Sequence, residues 1–240
     1  MSRRSIYIGF DARQADAFAV ARHSTKRRLN SPIQIHGLVL TQLRAMGVYT
    51  RPHEERNGQM WCPISGAGIS TEFANSRFLT PKLAGSGYAL FMDSDMLVRA
   101  DLSRLFDLCE SDPTKAVWCV QHDYRPKDTV KMDGQEQAQY HRKNWSSVMM
   151  FNCDHPAMTR LSLRDINERP GRDLHRFFWL EDSEIGALGW EWNYLVGYTK
   201  KDGESTPQIV HFTEGTPAMP GYEDSEFAKD WWRELWSWAG

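Results

Sequence analysis

The stretch Tyr88-Ala-Leu-Phe-Met-Asp-Ser-Asp95 decides the fold class. Its five apolar residues follow Gly85 and Gly87 without a polar break, the pattern of a strand buried on both faces. Strands of that kind belong to parallel or mostly parallel sheets covered by helices on either side. The run stops at a D-x-D, Asp93-Ser-Asp95. In open α/β sheets, ligands bind in the crevice beyond the carboxyl ends of the strands, so these aspartates stand where chemistry is expected. Side chains alternate along an extended chain, and the outer two of the three can point the same way. Two carboxylates so placed repel each other and lose hydration. A divalent cation relieves both costs and can bridge to phosphates. The plainer alternative is a solvated loop that caps a helix.

Working outward, Ser5-Ile-Tyr-Ile-Gly-Phe-Asp11 reads as a first strand and residues 15–29 as a helix with Ala17, Val20, Ala21 and Ser24 on one face. Ile33–Leu40 reads as a second strand, and this strand–helix–strand opening argues for an α/β domain. Residues 50–70, polar and containing Gly58, Gly66 and Gly68, read as a loop. A helix is predicted from about Thr71 to Pro81, where proline stops it. Beyond the aspartates, Leu102, Leu105 and Phe106 mark a short helix, and Ala116–Val120 and Ser146–Phe151 mark strands. Two helical stretches follow near 155–164 and 173–189, then a last strand at Gln208–His211 and an aromatic helix from Glu226 to Trp238. The polar segment 122–144 has little periodicity. With Lys127, Lys131, Gln135, Gln137, Tyr140, Arg142 and Lys143, it suits closing over a diphosphate and a hydroxylated acceptor. No repeat or linker divides the chain, so one domain over residues 1–240 is expected.

Composition narrows the classes. Hydrophobic residues at 41% exclude disorder as the overall state. The longest strictly apolar runs are about five residues, against the ~20 a membrane-spanning helix needs. The apolar stretch Ile6–Phe10 is too short for a secretory signal, and a cytoplasmic protein is expected, with attachment at an inner membrane face as the alternative. A net charge of −2 gives no general pull toward nucleic acid. The charge is uneven: residues 1–30 carry seven Lys/Arg against two Asp/Glu, and residues 201–240 carry three against eight. The cluster Arg22, Lys26, Arg27 and Arg28 reads as a solvated helix face, with phosphate or acidic lipid as other partners. Cys62, Cys109, Cys119 and Cys153 form no C-x-x-C pair and read as reduced thiols. Trp231, Trp232, Trp236 and Trp238 suit packing on the domain itself; a homodimer seam or a membrane interface is the other use of such a cluster.

Two further residues bear on the aspartates. Arg77 lies one helical turn from Phe73, beside the apolar stripe Phe73, Ala74 and Phe78. A guanidinium buried there needs an anionic partner, an aspartate or a phosphate. His211 closes an apolar run and is either a core histidine or a ligand for manganese, iron or zinc.

Taken in order, the motifs resemble the GT-A-type glycosyltransferases and, within them, family 8, which includes glycogenin and bacterial lipopolysaccharide galactosyltransferases. The resemblance covers nearly the whole chain. It rests on Ile8-Gly-Phe-Asp11, Ser70-Thr-Glu-Phe-Ala-Asn-Ser-Arg-Phe-Leu79, Asp93-Ser-Asp95, Asn144-Trp-Ser-Ser-Val-Met-Met-Phe-Asn152, Asp182-Ser-Glu184 and His211-Phe-Thr-Glu-Gly215. It implies a single Rossmann-like GT-A domain with a mixed, mostly parallel sheet flanked by helices. Residues 1–95 would form the nucleotide-binding half, and residues 96–240 the half for donor sugar and acceptor. Asp93, Asp95 and His211 would hold manganese or magnesium. Gly9, Phe10, Asp11, Arg13 and Ser94 would lie along the nucleotide. Arg77 would contact the sugar-phosphate, Ser146 and Ser147 would flank the donor sugar, and Asp182 would be the acidic residue at the sugar. A helix N-cap before Ser183–Leu188 is the alternative for Asp182.

The family closes on H-x-x-G-x-x-K-P-W, whose lysine touches the diphosphate. Here Met219 stands near that place, so Lys127, Lys131, Lys143 or the backbone around Gly215 and Thr216 would substitute. The activity implied is metal-dependent transfer from a nucleoside-diphosphate sugar, first of all a UDP-sugar, to a hydroxyl of a glycan, lipid-linked or other acceptor, with retention. Two alternatives are a catalytically silent sugar-nucleotide-binding protein and a haloacid-dehalogenase-like phosphatase with Asp93 as nucleophile.

Overall fold

The computed structural model describes residues 2–123, 144–201 and 203–239. The segment read over 122–144 lies outside them except at its ends, and so do Lys127, Lys131 and Lys143. In chain order the elements are β1 (Arg4–Gly9), α1 (Ala15–Arg28), β2 (Gln34–Leu38), α2 (Leu40–Ala45), β3 (Glu54–Arg56), β4 (Gln59–Cys62), β5 (Ala67–Gly68), α3 (Thr80–Ala84), β6 (Tyr88–Met92) and β7 (Met96–Val98). There follow α4 (Ser103–Glu110), β8 (Val117–Val120), β9 (Val148–Asn152), α5 (Leu163–Glu168), α6 (Gly171–His175), β10 (Ile185–Leu188), β11 (Tyr194–Leu195), β12 (Ile209–His211) and α7 (Ala228–Ala239).

Six strands form the main sheet in the order β10-β8-β9-β6-β1-β2. The pairs β1–β2, β1–β6 and β8–β10 are parallel, and β9 runs antiparallel between β6 and β8. All five residues of β6 are buried. Ala89 and Phe91 enter an apolar cluster with Phe73, Phe78, Phe151 and Phe177. Tyr88, Leu90 and Met92 enter another with Ile6, Ile8, Leu105 and Phe106. Core therefore covers both faces of the sheet, as the unbroken apolar run requires. Ile8 pairs with Met92, and Met92 with Val148, so one edge of the sheet gathers the ends of β1 and β6 and the start of β9.

Several elements differ from the sequence reading. Residues 54–68 form a small antiparallel meander rather than a loop. In place of one helix over 71–81, a 3-10 turn at Ser76–Leu79 leads into α3, where Pro81 stands in the first turn. Proline suits that position because its missing N–H has no intrahelical partner there, so it starts a helix instead of ending one. The helix read over 173–189 is α6, a 3-10 turn at Asp182–Glu184 and the edge strand β10. Its run Ile185-Gly-Ala-Leu188 is short and without a charged residue, and periodicity alone does not tell such a strand from a helix turn.

The basic cluster on α1 has a partner inside the molecule. Arg28 and Arg27 reach the Glu234 carboxylate of α7 at 2.8 and 3.4 Å, His23 stands 3.7 Å away, and that carboxylate is nearly inaccessible. Arg22 and Lys26 remain exposed. Trp231 is fully buried beside this contact, whereas Trp236 and Trp238 are exposed and Trp232 stacks on Trp236. Removing one partner of a buried ion pair strands the other. Because Arg27 is half exposed, Glu234→Ala is expected to cost about 2 kcal/mol. That lowers the melting temperature by roughly 4–8 °C in calorimetry at this chain length. An unchanged melting temperature would mean that the pair does not hold α7.

Candidate active site

β6 delivers Asp93 and Asp95 to the gathered edge, and the turn between them is fixed from two sides. Asp93 N–H donates to the Ser147 carbonyl at 3.0 Å, and Phe212 N–H donates to the Asp95 carbonyl at 3.0 Å. The second bond belongs to the antiparallel pairing of β12 with β7, where His211 faces Met96. The alternation expected across Asp93-Ser94-Asp95 is present: the two carboxylates converge with His211, while Ser94 is fully buried. One ligand atom from each of Asp93, Asp95 and His211 lies within 4.8 Å of the others. His211 Nε2 is 3.4 Å from Asp95 Oδ1.

The tautomer of His211 follows from its neighbours. Ser147 Oγ donates to the Asn144 carbonyl at 2.7 Å and so accepts from Asn193 Nδ2 at 2.8 Å. That orients the Asn193 amide with Oδ1 toward His211 Nδ1, at 3.1 Å. An amide oxygen only accepts, so Nδ1 carries the proton and Nε2 offers its lone pair toward the carboxylates. Asn193 is fully buried. Neither it nor Asn144 is marked by spacing; only the Trp190-Glu-Trp-Asn193 run before a strand sets Asn193 apart in the sequence.

Arg77 finds the aspartate partner among its two alternatives. Nη1 is 2.8 Å from Asp93 Oδ1 and also donates to the Ser146 carbonyl at 2.8 Å, while Nε donates to the Ala74 carbonyl at 3.0 Å. The guanidinium lies over the rings of Phe73 and Phe91, 5.4 and 5.1 Å from their centroids. His122 stands near His211; burial, and then that neighbour, push its pKa down to about 3.

The residues expected along the nucleotide divide. Asp11 is fully buried, and its carboxylate is engaged by Arg13 at 2.6 Å and by Glu72 N–H at 3.1 Å. Arg13 also donates to the Ser70 carbonyl at 2.8 Å. Asp11 thus ties the end of β1 to the 70–72 loop. Gly9 is required by packing: a Cβ there would lie 2.4 Å from the Phe73 ring. Phe10 meets Phe18 edge-on, with centroids 5.1 Å apart. Gly215 and Thr216 line a groove beside Asp95 together with Gln14, Ser70, Thr71 and Met219.

Asp182 is not brought to this site. β10 is parallel to β8, with Ile185 beside Val117. Val117 pairs with Phe151, at the end of β9 that borders the start of β6. Asp182 therefore sits, exposed, at the edge of the sheet opposite Asp93. Its cap alternative fails as well: Glu181 caps the turn, and a strand follows.

No family model matches the chain. Solved structures similar to it are glycosyltransferases. The galactosyltransferase LgtC, in complex with donor and acceptor sugar analogs, superposes with a TM-score of 0.60 at 15% identity over 97% of this chain and 95% of that one. The apo-form glycosyltransferase GlyE of Streptococcus pneumoniae gives 0.62 at 17% identity over 100% and 62%. The bifunctional glycosyltransferase WbbM gives 0.61 at 17% over 98% and 50%, so this chain spans half of WbbM. The fold is GT-A, of the type seen in family 8 glycosyltransferases. In sequence, the chain is 43% identical over 234 residues to Protein CDI of Arabidopsis thaliana, covering 96% of this chain and 85% of that protein, and it belongs to that family.

The Asp11 tie has a pH signature. Burial works to raise the carboxyl, but Arg13 and the Glu72 N–H outweigh it and hold the pKa below the usual aspartate value. A folded-state pKa below the unfolded one gives stability that is complete above about pH 4 and lost as pH falls through the folded value. Asp11→Asn should therefore melt below wild type at neutral pH, with the gap closing in acid. A gap independent of pH would refute the tie.

Proposed function

We propose that this protein is a metal-dependent glycosyltransferase that moves a sugar from a nucleoside-diphosphate sugar, UDP-sugar being the first candidate, to an acceptor hydroxyl. The observation that carries the reading is the convergence of Asp93, Asp95 and the Nε2 lone pair of His211. Two hard oxygen donors with one imidazole nitrogen fit manganese, and magnesium less well. A cation bound there would offset the negative charge that develops on the diphosphate as the anomeric bond breaks. Arg77 adds a positive charge already fixed in a water-poor pocket, so little reorganisation is needed when the charge appears. Ser146 and Ser147 border the donor sugar, and Gly215 and Thr216 offer their groove to the diphosphate. By resemblance, transfer proceeds with retention, onto a glycan, lipid-linked or other hydroxyl. Among the described residues, no helix is long and apolar enough to cross a membrane.

A second reading has its own support. Met219 lines the groove where the family pattern puts a cation, which suits a protein that binds sugar nucleotides without turning them over. Both readings require metal-dependent nucleotide binding; only the first requires donor hydrolysis or transfer. The GT-A fold favours these two readings over the phosphatase alternative.

A thermal-shift titration with UDP, GDP and CDP, with and without manganese, tests the common ground. At ~100 times its dissociation constant a ligand adds about 2.7 kcal/mol, several degrees here. One base is expected to give a manganese-dependent shift, and no shift with any base would remove the proposal. Asp95→Asn should abolish that shift and all transfer while the protein remains folded. Asn193→Ala should weaken manganese binding about tenfold or more in calorimetry, because it frees the imidazole tautomer.

A further inference from the structure

Arg77 belongs to a hydrogen-bonded frame beside Asp93. Its Nε donates to the Ala74 carbonyl and its Nη1 to the Ser146 carbonyl. Ser146 Oγ in turn lies 2.7 Å from His175 Nδ1. The frame joins three segments distant in sequence: the 73–79 loop, the 144–147 turn and α6. α6 is itself pressed onto the first of these. A Cβ on Gly171 would lie 2.6 Å from Asn75 Oδ1, and the Phe78 ring meets His175 edge-on at 5.2 Å.

A neutral imidazole has one N–H and one acceptor nitrogen, and Nδ1 is the one that meets the Ser146 hydroxyl. Burial first, then the nearby Arg77 and Arg51 guanidinium groups, keep the imidazole neutral, with its pKa lowered to about 3. The Phe73 and Phe91 rings beside the guanidinium give its N–H groups no direction. The two carbonyls do, and His175 holds their segments in register by its bond to Ser146 Oγ and its contact with the Phe78 ring.

We propose that His175 is a positioning residue, which aims Arg77 through the Ala74 and Ser146 segments without itself meeting the donor. The hydrogen-bonded frame is independent of any ligand; its consequence for donor binding rests on the function proposed above. Holding a long cationic side chain in one orientation before the ligand arrives saves that ordering cost on binding.

The test uses His175→Phe, which loses the hydrogen bond to Ser146 Oγ, and His175→Asn, which keeps a hydrogen-bonding amide near the Nδ1 position. Each is made alone and with Arg77→Lys. In ¹⁵N NMR of the ligand-free protein, the Arg77 Nε–H signal, assigned by its loss in Arg77→Lys, should exchange slowly with water in wild type and rapidly in His175→Phe. Nucleotide–manganese affinity, measured with the base that shifts melting, should fall about tenfold in His175→Phe. It should recover at least in part in His175→Asn and show no further loss in the Arg77→Lys background, where the two effects must not add. Equal exchange rates in wild type and His175→Phe would overturn the proposal. So would an additive double variant, or a lowered melting temperature with unchanged affinity, both of which mark a purely structural histidine. If wild type binds no nucleotide, the proposed function fails, and the exchange measurement alone decides whether His175 aims Arg77.

Discussion

Two carboxylates held at the end of one buried strand need positive charge within reach, and the rest of the site is arranged to supply it or to hold a cation that would. Asp93 takes Arg77, and Asp95 converges with the Nε2 lone pair of His211. Neither partner is adjacent in sequence. Arg77 comes from a loop pinned by Asp11 and Gly9, and His211 from a strand in a different sheet. The antiparallel insertion of β9 makes the convergence possible, because it starts the 144–152 segment where β1 and β6 end. An all-parallel sheet would carry that segment's first residues to the opposite edge.

What the sequence revealed of this arrangement is what local pattern can carry. An unbroken apolar run showed the central strand, strict alternation placed Asp93 and Asp95 together, and the stripe beside Arg77 marked a buried cation. The parts it hid are those decided by tertiary pairing. Asn193 and His175 have no spacing signal because each acts on a residue brought near only by the fold. Asp182 was misplaced for a related reason. Three or four apolar residues near 185–188 fit a helix turn as well as an edge strand, and only the pairing of Ile185 with Val117 shows which end of the sheet receives the carboxylate before them.

Charge offers a parallel lesson at larger scale. The excess of basic residues near the beginning of the chain and of acidic residues near its end look like two separate surfaces when counted along the sequence. Folding lays α1 against α7, and part of each excess is consumed at Glu234. Asp11 shows the same effect in one residue: its carboxylate is engaged by Arg13 and a backbone N–H. Its contribution to the site is the shape of the loop that carries Arg77.

The hydrogen-bonded line from His211 through Asn193 and Ser147 ends at the carbonyl of Asn144, a residue held in the left-handed region at φ 63°. Each member of that line takes its donor or acceptor role from the next. The Asn144 carbonyl, aimed by a left-handed backbone, thus stands at the head of the sequence of choices that leaves a lone pair on the nitrogen at the strand end.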